Sequence, residues 1–484
     1  MRHIYKREQA YLMSQTGTVL GEKIEEKEYD VIYIGGGPGG YAGALKSVSL
    51  GQSVALIEES LMGGTCVNWG CIPNKSLLAS TEAYLNARDG AQYGVDINGD
   101  VRLDFSKAMA RKDEIVAKLR EGVTFMLQSA GVKIYRGRGR LVGERKVKIE
   151  SGEDAGKILI GKAVVVATGS SPSRPPIKGI DGKNVINSQV LLSMKEQPKS
   201  LIIAGAGPEG LELGTFLAAC GVHVTIVEMM PHILPLEDAD IANALQDALS
   251  EEFSNIEFHT GAKVLEIKDS GDLKEVVADV GNGKTESYKA EYVMMSIGRT
   301  PNTANLGLED LGVQFNRRFI KVDNHLRTNL PWLYAIGDAA GGGLAHVALV
   351  QGPIAALNAA GHEAIYDDRA LPRSVYTFEE VASVGLTEEQ AKNKGIKYKV
   401  ARAFMAANGR ALSLGKTHGF IKIIADENNR IIGATMLGPY ASEVIQELAA
   451  AITFNATLEQ LATVIHGHPT VSEVIPDALK AGAQ

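Results

Sequence analysis

The sequence predicts an α/β protein: two Rossmann-like dinucleotide-binding domains followed by a C-terminal α+β domain. Three observations predict it. A strand, a glycine-rich turn, a helix and a second strand closed by an acid run from Asp30 to Glu58. The same unit returns from Leu201 to Glu228 without a gap. From about Leu371 the texture changes to short strands of an antiparallel sheet followed by helices.

The first unit opens on the apolar strand Asp30–Ile34, which runs into Gly35-Gly36-Gly37-Pro38-Gly39-Gly40. A helix to about Leu50, then Gly51, leads to the strand Ser53–Ile57, closed by Glu58. Gly35, Gly37 and Gly40 form a G-x-G-x-x-G turn, whose small residues let the backbone approach a pyrophosphate seated on the helix N-terminus. An acid closing the second strand can hydrogen-bond ribose hydroxyls, and Glu58 holds that place, with Glu59 as the adjacent alternative. In the second unit Gly205, Gly207, Pro208 and Gly210 match Gly35, Gly37, Pro38 and Gly40; Gly221, Val224 and Glu228 match Gly51, Val54 and Glu58. One such fingerprint is weak evidence, but two in register, each with its strand, helix, strand and acid, are strong. A carboxylate at Glu228 pairs with a free 2′-hydroxyl and repels a 2′-phosphate, and Met229-Met230-Pro231-His232 offers no arginine. The second nucleotide is therefore expected to be NAD rather than NADP.

Between the repeats lie an amphipathic region from about Phe105 to Ala130 and short β segments. Arg136-Gly137-Arg138-Gly139-Arg140 reads as a solvated turn beside a nucleotide rather than a nucleic-acid patch, since no aromatics interleave the arginines. The buried strand Val164–Val166 leads into Ala167-Thr168-Gly169-Ser170, and Pro172, Pro175 and Pro176 punctuate a boundary. The second unit's domain ends at Gly298-Arg299-Thr300. Trp332–Ile336 then delivers Gly337-Asp338 to a strand's C-terminal end, where α/β folds bind ligands. In the last domain Val381–Gly385, Phe420–Ile424 and Ile431–Leu437 read as strands, and Glu443–Phe454 and Leu458–Ile465 as helices.

Chemistry concentrates in Gly63-Gly64-Thr65-Cys66-Val67-Asn68-Trp69-Gly70-Cys71-Ile72-Pro73-Asn74-Lys75. In a regular helix, residues five apart sit about 8–9 Å apart at Cα, on different faces. A disulfide wants roughly 4.4–6.8 Å. The pair is therefore either reduced or set in distorted backbone, for which Gly63, Gly64 and Gly70 supply freedom. As a staple, so short a loop removes only about 2 kcal/mol of chain entropy. The helix-prone run Ser76–Leu85 follows, placing both cysteines near a helix N-terminus, where thiolate is favoured. Two unrelated core cysteines, or half a zinc site lacking a second Cys/His pair, are the rival readings. Cys220 falls on the position of Leu50 and reads as a small apolar core residue. Near the C-terminus, His466-Gly467-His468-Pro469-Thr470-Val471-Ser472-Glu473 supports two readings. One is a polar helix start capped by Thr470 or Ser472; the other is a histidine oriented by a carboxylate for acid/base work. The residues alone leave both open.

Composition narrows the classes. Apolar residues make up 45% of the chain and the net charge is −7, so no basic excess attracts nucleic acid or anionic membrane. No apolar run is long enough to span a bilayer. Three cysteines suit a reducing compartment, read as cytoplasm or organelle matrix. Residues 1–28 read as a polar extension without the apolar core of a signal peptide.

Together these motifs resemble the pyridine nucleotide–disulfide oxidoreductases, from about Tyr29 to Leu479. The likeness rests on the 63–75 run, both fingerprints, Ala167-Thr168-Gly169, Ile297-Gly298-Arg299, Ala335-Ile336-Gly337-Asp338 and His466–Glu473. The last of these points to the branch that oxidises dihydrolipoamide, although glutathione reductases end similarly. The resemblance implies an N-terminal extension (1–28), an FAD-binding domain in two parts (29–175 and 299–370), an NAD-binding domain (176–298) and an interface domain (371–484) that builds a homodimer. It implies that Cys66 exchanges with substrate, that Cys71 lies against the flavin, and that His468, held by Glu473 and followed by a cis proline, reaches in from the partner chain. Lys75 would lie near the flavin's reactive nitrogen, paired with Glu212. Gly64, Thr65, Gly139, Gly169, Asp338 and Ala345 join the cofactor side, with Val264 and Gly298 lining the NAD site. No metal is implied. The expected function is oxidation of protein-bound dihydrolipoamide to lipoamide with reduction of NAD+, serving a lipoyl-bearing protein of a 2-oxoacid dehydrogenase complex or glycine cleavage system. A glutathione-type NADPH reductase and a non-catalytic flavin-bound subunit are the rivals. Three departures stand out: Phe378-Glu379-Glu380 where Asp-Pro-Glu is common, Gln351 where an acid is common, and Trp69 between the cysteines in place of a smaller residue.

Overall fold

The computed structural model describes residues 26–482. The polar extension expected over 1–28 therefore lies, as far as residue 25, outside the described residues. In chain order β1 (Glu26–Ile34), α1 (Pro38–Ser49) and β2 (Val54–Glu58) are followed by α2 (Gly64–Trp69), α3 (Cys71–Arg88) and α4 (Phe105–Ser129). Next come β3 (Lys133–Arg136), β4 (Gly139–Gly143), β5 (Lys146–Ile149), β6 (Ile158–Val166), β7 (Ser170–Pro172) and β8 (Val185–Ile186). The second nucleotide-type unit follows as β9 (Ser200–Ala204), α5 (Pro208–Ala219), β10 (His223–Glu228), α6 (Ala239–Glu252) and β11 (Ile256–Thr260). After it stand β12 (Lys263–Ser270), β13 (Leu273–Asp279), β14 (Thr285–Ala290), β15 (Tyr292–Met295), β16 (Arg299–Pro301), β17 (Leu333–Ala335) and α7 (Ala345–Ala359). The chain ends with β18 (Pro372–Tyr376), β19 (Glu380–Gly385), α8 (Glu388–Asn393), β20 (Tyr398–Phe404), β21 (Phe420–Asp426), β22 (Ile431–Gly438), α9 (Ala441–Thr453) and α10 (Val474–Gly482).

Two compact units form. The first gathers the chain up to Met62, Phe125–Thr168 and Thr303–Ala364. Its sheet runs β3-β2-β1-β6-β5-β4, with β17 pairing the last residues of β6, Leu333 opposite Val164. The strands that carry the fingerprint are parallel, Val31 opposite Val54 and Val164 opposite Ile32, and are buried almost without interruption, as a sheet covered on both faces requires. The helices α1 and α7 meet through glycines: a Cβ on Gly352 would lie 2.4 Å from the Gly39 carbonyl oxygen. β1 starts at Glu26 rather than Asp30, because Glu26–Glu28 pair with Ile158–Ile160. Those residues are polar and only partly covered, so apolar patterning does not reveal them. The basic stretch at 136–140 is mostly strand: only Gly137 and Arg138 turn, and the Arg140 guanidinium pairs with Glu150 and Asp310.

The second unit holds Gly63–Thr124, Gly169–Asn302 and the chain from Ile365 onward. Its parallel sheet runs β11-β10-β9-β15-β8, and β12–β14 form a separate antiparallel sheet. The expected C-terminal antiparallel sheet is present with five strands, β18-β19-β22-β21-β20; its two edge strands, β18 and β20, are not marked by apolar runs. The helix expected over Leu458–Ile465 covers only Leu458–Leu461. A Thr457–Gln460 capping box starts it, and the β-branched run Thr463-Val464-Ile465 does not extend it, since such side chains lose rotamer freedom in a helix.

Candidate active site

Gly63 and Gly64 hold positive φ (94° and 59°) and start α2. A Cβ on Gly63 would sit 2.7 Å from that of Val67, so the turn needs glycine. Gly70 (φ −139°, ψ −103°) breaks the helix, and Cys71 becomes the first residue of α3. The break resolves the geometric conflict of a regular helix. Cys66 and Cys71 are both thiols, and the two sulfurs are hydrogen-bonded to each other. The pair is electrically asymmetric. Donation to Cys71, together with burial, holds the Cys66 thiol well above its ordinary range. Cys71 is brought down to about 7, first by the hydrogen bond from Cys66 and further by the Lys75 charge, against burial and Glu212. A thiolate at a helix N-terminus is the form such surroundings favour.

One turn along α3, the Lys75 Nζ donates to both Glu212 carboxylate oxygens, at 2.7 and 2.8 Å. Glu212 stands on α5 and is nearly fully buried. Its carboxylate also accepts from Asn74 Nδ2 (3.4 Å) and from the Tyr376 backbone N–H (3.1 Å). Thr65, expected on the cofactor side, receives a hydrogen bond from Arg299 at 3.3 Å, and Arg299 also bonds Ser170. Tyr376 is not marked in the sequence, and Arg299 enters it only within the Ile297-Gly298-Arg299 motif, without a role of its own. Each meets its partner across a long stretch of chain, which no local pattern reveals.

His468 Nδ1 lies 2.8 Å from Glu473 Oε1, across a cis His468–Pro469 bond. The other Glu473 oxygen accepts from the Thr470 N–H at 2.8 Å. Both readings of this stretch therefore hold at once, with Thr470 capping the turn and Glu473 serving cap and histidine together. These two bonds hold the Glu473 carboxyl below its usual range. His466 has its own acid, Glu447, at 3.1 Å. The His468 side chain is 80% exposed; among the described residues its hydrogen bond goes to Glu473 and to neither cysteine. Phe454 and Ile465, 81% and 96% exposed, offer bare apolar surface in the same domain.

The fingerprints fold alike. Gly35 (φ 112°) and Gly205 (φ 104°) make the turns. A Cβ on Gly40 or Gly210 would strike the carbonyl oxygen of Gly35 or Gly205. Gly37 and Gly207 stand at the N-caps of α1 and α5, each followed by proline and without a side-chain cap; a Cβ on Gly207 would meet open space. Glu58 accepts from the N–H groups of Gly36 (2.6 Å) and Ser60 (2.7 Å), and burial raises its pKa. Glu228 accepts from those of Ala206 and Met230, both at 2.8 Å. Each acid braces its own turn at the strand end where a ribose is expected. Uncapped helix N-termini behind glycine turns fit a pyrophosphate, so the residues present fit two dinucleotides.

The remaining expected residues are placed as follows. Gly139 opens β4 under Ile34 and Ile57. Asp338 lies in a 3₁₀ turn whose Gly337 N–H is held by Gln351 at 2.7 Å, and Ala345 opens α7. Gly169 and Gly298 have positive φ, their carbonyls accepting from Asn302 and Ser173. Val264 lies in β12 opposite Ala278. Cys220 caps α5 against the core, and burial raises its thiol to about 12.

Residues 29–352 match the model of the pyridine nucleotide-disulphide oxidoreductases, and residues 371–479 match that family's dimerisation domain. The chain belongs to this family. As an oxidoreductase of this kind it is 39% identical, over 94% of its length and 98% of the relative's, to a dihydrolipoyl dehydrogenase of Bacillus subtilis. A dihydrolipoyl dehydrogenase of Chlorobaculum tepidum is 37% identical over 93% of this chain and 96% of that one. Among solved structures, LpdA of Mycobacterium tuberculosis superposes with a TM-score of 0.85 at 29% identity, covering 94% of this chain and 99% of that one. The HOCl-induced flavoprotein disulfide reductase RclA of Escherichia coli gives 0.82 at 29% identity, covering 93% and 99%. The expected fold and family are borne out, and the oxidoreductase's dimerisation domain supports a homodimer. FAD and NAD(H) are the cofactors of its dihydrolipoyl dehydrogenase relatives. No helix among the described residues is long and apolar enough to cross a membrane.

Proposed function

We propose that the chain oxidises protein-bound dihydrolipoamide to lipoamide and reduces NAD+ to NADH. The Cys66–Cys71 pair carries this reading: two neighbouring sulfurs, one more acidic than the other, beside Lys75 and its ion pair with the buried Glu212. The expected domain bounds are part of it, with 29–175 and 299–370 for FAD, 176–298 for NAD and 371–484 for pairing two copies. Gly35, Gly37, Gly40, Glu58, Gly139, Asp338 and Ala345 serve FAD; Gly205, Gly207, Gly210, Glu228, Val264 and Gly298 serve NAD.

In the resting enzyme Cys66 and Cys71 form a disulfide. His468 of the second copy, its Nδ1 side fixed by Glu473, takes a proton from one substrate thiol. That thiolate attacks the Cys66 sulfur; a substrate–Cys66 disulfide forms, and Cys71 leaves as thiolate. The second substrate thiol attacks the substrate sulfur of the mixed disulfide, and its proton passes to the Cys66 sulfur as that sulfur leaves. Cyclic lipoamide departs, Cys66 is freed, and the pair is left as the dithiol form described above. FAD, which Gly35, Gly37, Gly40 and Glu58 would hold, would supply the two-electron acceptor that lets Cys66 and Cys71 return to the disulfide, with NAD+ as the final hydride acceptor. Cys71 suits the thiolate role because its surroundings keep it ionised near neutrality.

The 36–39% identity to dihydrolipoyl dehydrogenases over nearly the whole chain supports the substrate, and a buried Glu228 supports NAD over NADP. The lipoyl-bearing protein belongs to a 2-oxoacid dehydrogenase complex or a glycine cleavage system, in the cytoplasm or an organelle matrix. Dihydrolipoamide with NAD+ is expected to turn over, NADPH with glutathione disulfide is not, and Cys71→Ser should abolish the first. Reduction of glutathione disulfide at comparable rate, or survival of Cys71→Ser, overturns the assignment.

A further inference from the structure

Lys75 Nζ is enclosed on two sides. The Glu212 carboxylate holds one, at 2.7 and 2.8 Å. On the other is the Tyr376 ring, its centroid 4.5 Å from Nζ. The same residue's backbone N–H donates to Glu212 Oε1 at 3.1 Å, so the last residue of β18 touches both members of the ion pair. β18 is fixed in the sheet by β19, with Tyr376 opposite Glu380, and Glu380 is itself tied to the start of α9 through the Ser442 N–H and hydroxyl. Lys75 needs such a clamp. Its side chain is 35% exposed, and a flexible four-carbon stem otherwise lets the ammonium swing into water. A cation over an aromatic face is held electrostatically by the ring.

We propose that Tyr376 is a positioning residue: its ring pins the Lys75 ammonium where the positive charge acts on the Cys71 sulfur. This rests on the assignment of Cys71 as the thiolate partner. The charged and titratable groups that set the acidity of Cys71 are Cys66 on α2, Lys75 on its own helix and Glu212 on α5. Lys75 is the cation among them, so its placement sets how much of its field the sulfur feels. The Tyr376 backbone N–H is kept in a leucine, methionine or phenylalanine variant, which leaves the Glu212 anchor intact and isolates the ring.

The test is alkylation of the reduced holoenzyme by iodoacetamide across pH, followed at Cys71 by peptide mass. In the parent, Cys71 alkylation should rise through about pH 7. Tyr376→Leu should move that midpoint up by roughly half a unit or more, while Tyr376→Phe, which keeps the ring, should stay with the parent. Tyr376→Met, long and apolar without a π face, is the parallel variant should the leucine form not fold. A leucine or methionine variant titrating as the parent overturns the inference, as does a phenylalanine variant shifted as far as leucine. A parent Cys71 that alkylates only as an ordinary thiol, near pH 8.5, instead overturns the thiolate assignment beneath it.

Discussion

At the scale of single residues, local motifs carry the site and distant contacts complete it. Cys66 and Cys71 stand out by their spacing and flanking glycines, whereas Lys75, His468 and Glu473 take their expected roles only from the family resemblance. Tyr376 is not legible, because it comes to Lys75 only through the packing of β18 against α5. Glu379 shows the same blindness. The sequence marks it only as a departure, yet it is 2% exposed with one carboxyl oxygen lacking a hydrogen-bond partner. Burial lifts its pKa from 4.5 to about 7. The folded chain thus keeps this proton up to about pH 7, whereas the unfolded chain releases it near 4.5, so between those values the residue costs stability as pH rises. Glu379→Gln should be more stable than the parent at pH 8, by up to about 3 kcal/mol. The gain should shrink to nothing by about pH 4.5. Thermal melting across pH checks this; a gain independent of pH would mean the carboxyl is ionised throughout.

Elements were legible where apolar runs and glycine turns coincide, as in β1–α1–β2 and β9–α5–β10. They were missed where polar residues form a strand, as at Glu26–Glu28, or where β-branched residues imitate a helix, as at Thr463–Ile465. Attachments between elements lie beyond any local pattern. Lys422 on β21 is fully buried and its Nζ meets Asp238 (2.8 Å), Asp240 (2.9 Å) and Glu388 (2.8 Å). Asp238 further accepts from the first N–H groups of α8, while Arg402 bonds Asp240 at 2.5 Å and Arg373 bonds Glu237 at 3.0 Å. The entry to α6 is thereby fastened to the C-terminal sheet. Removing one partner of a buried charge cluster leaves the others uncompensated, so Lys422→Met should cost about 3–5 kcal/mol. Adding Asp238→Asn to it should recover part of that loss, a coupling that denaturant melts of the single and double variants would measure. Additive losses would show that the charges do not depend on one another.

For the whole molecule, the proposed arrangement divides one reaction between two chains: cysteines from one, His468 from the other. Cys71→Ser and His468→Gln should each be nearly inactive alone, the latter by at least about 100-fold. Mixed, unfolded together and refolded, they should reassort so that half the dimers pair one of each. Each such dimer holds one complete site, giving about a quarter of parental activity. A mixture no better than its components would place histidine and cysteines in the same chain. In the divided arrangement His468, its ring turned to solvent, would make competence a matter of company rather than of folding. A lone chain would lack the acid/base group its cysteines use, so the first copies in a growing cell would accumulate without effect and begin to work only as they pair.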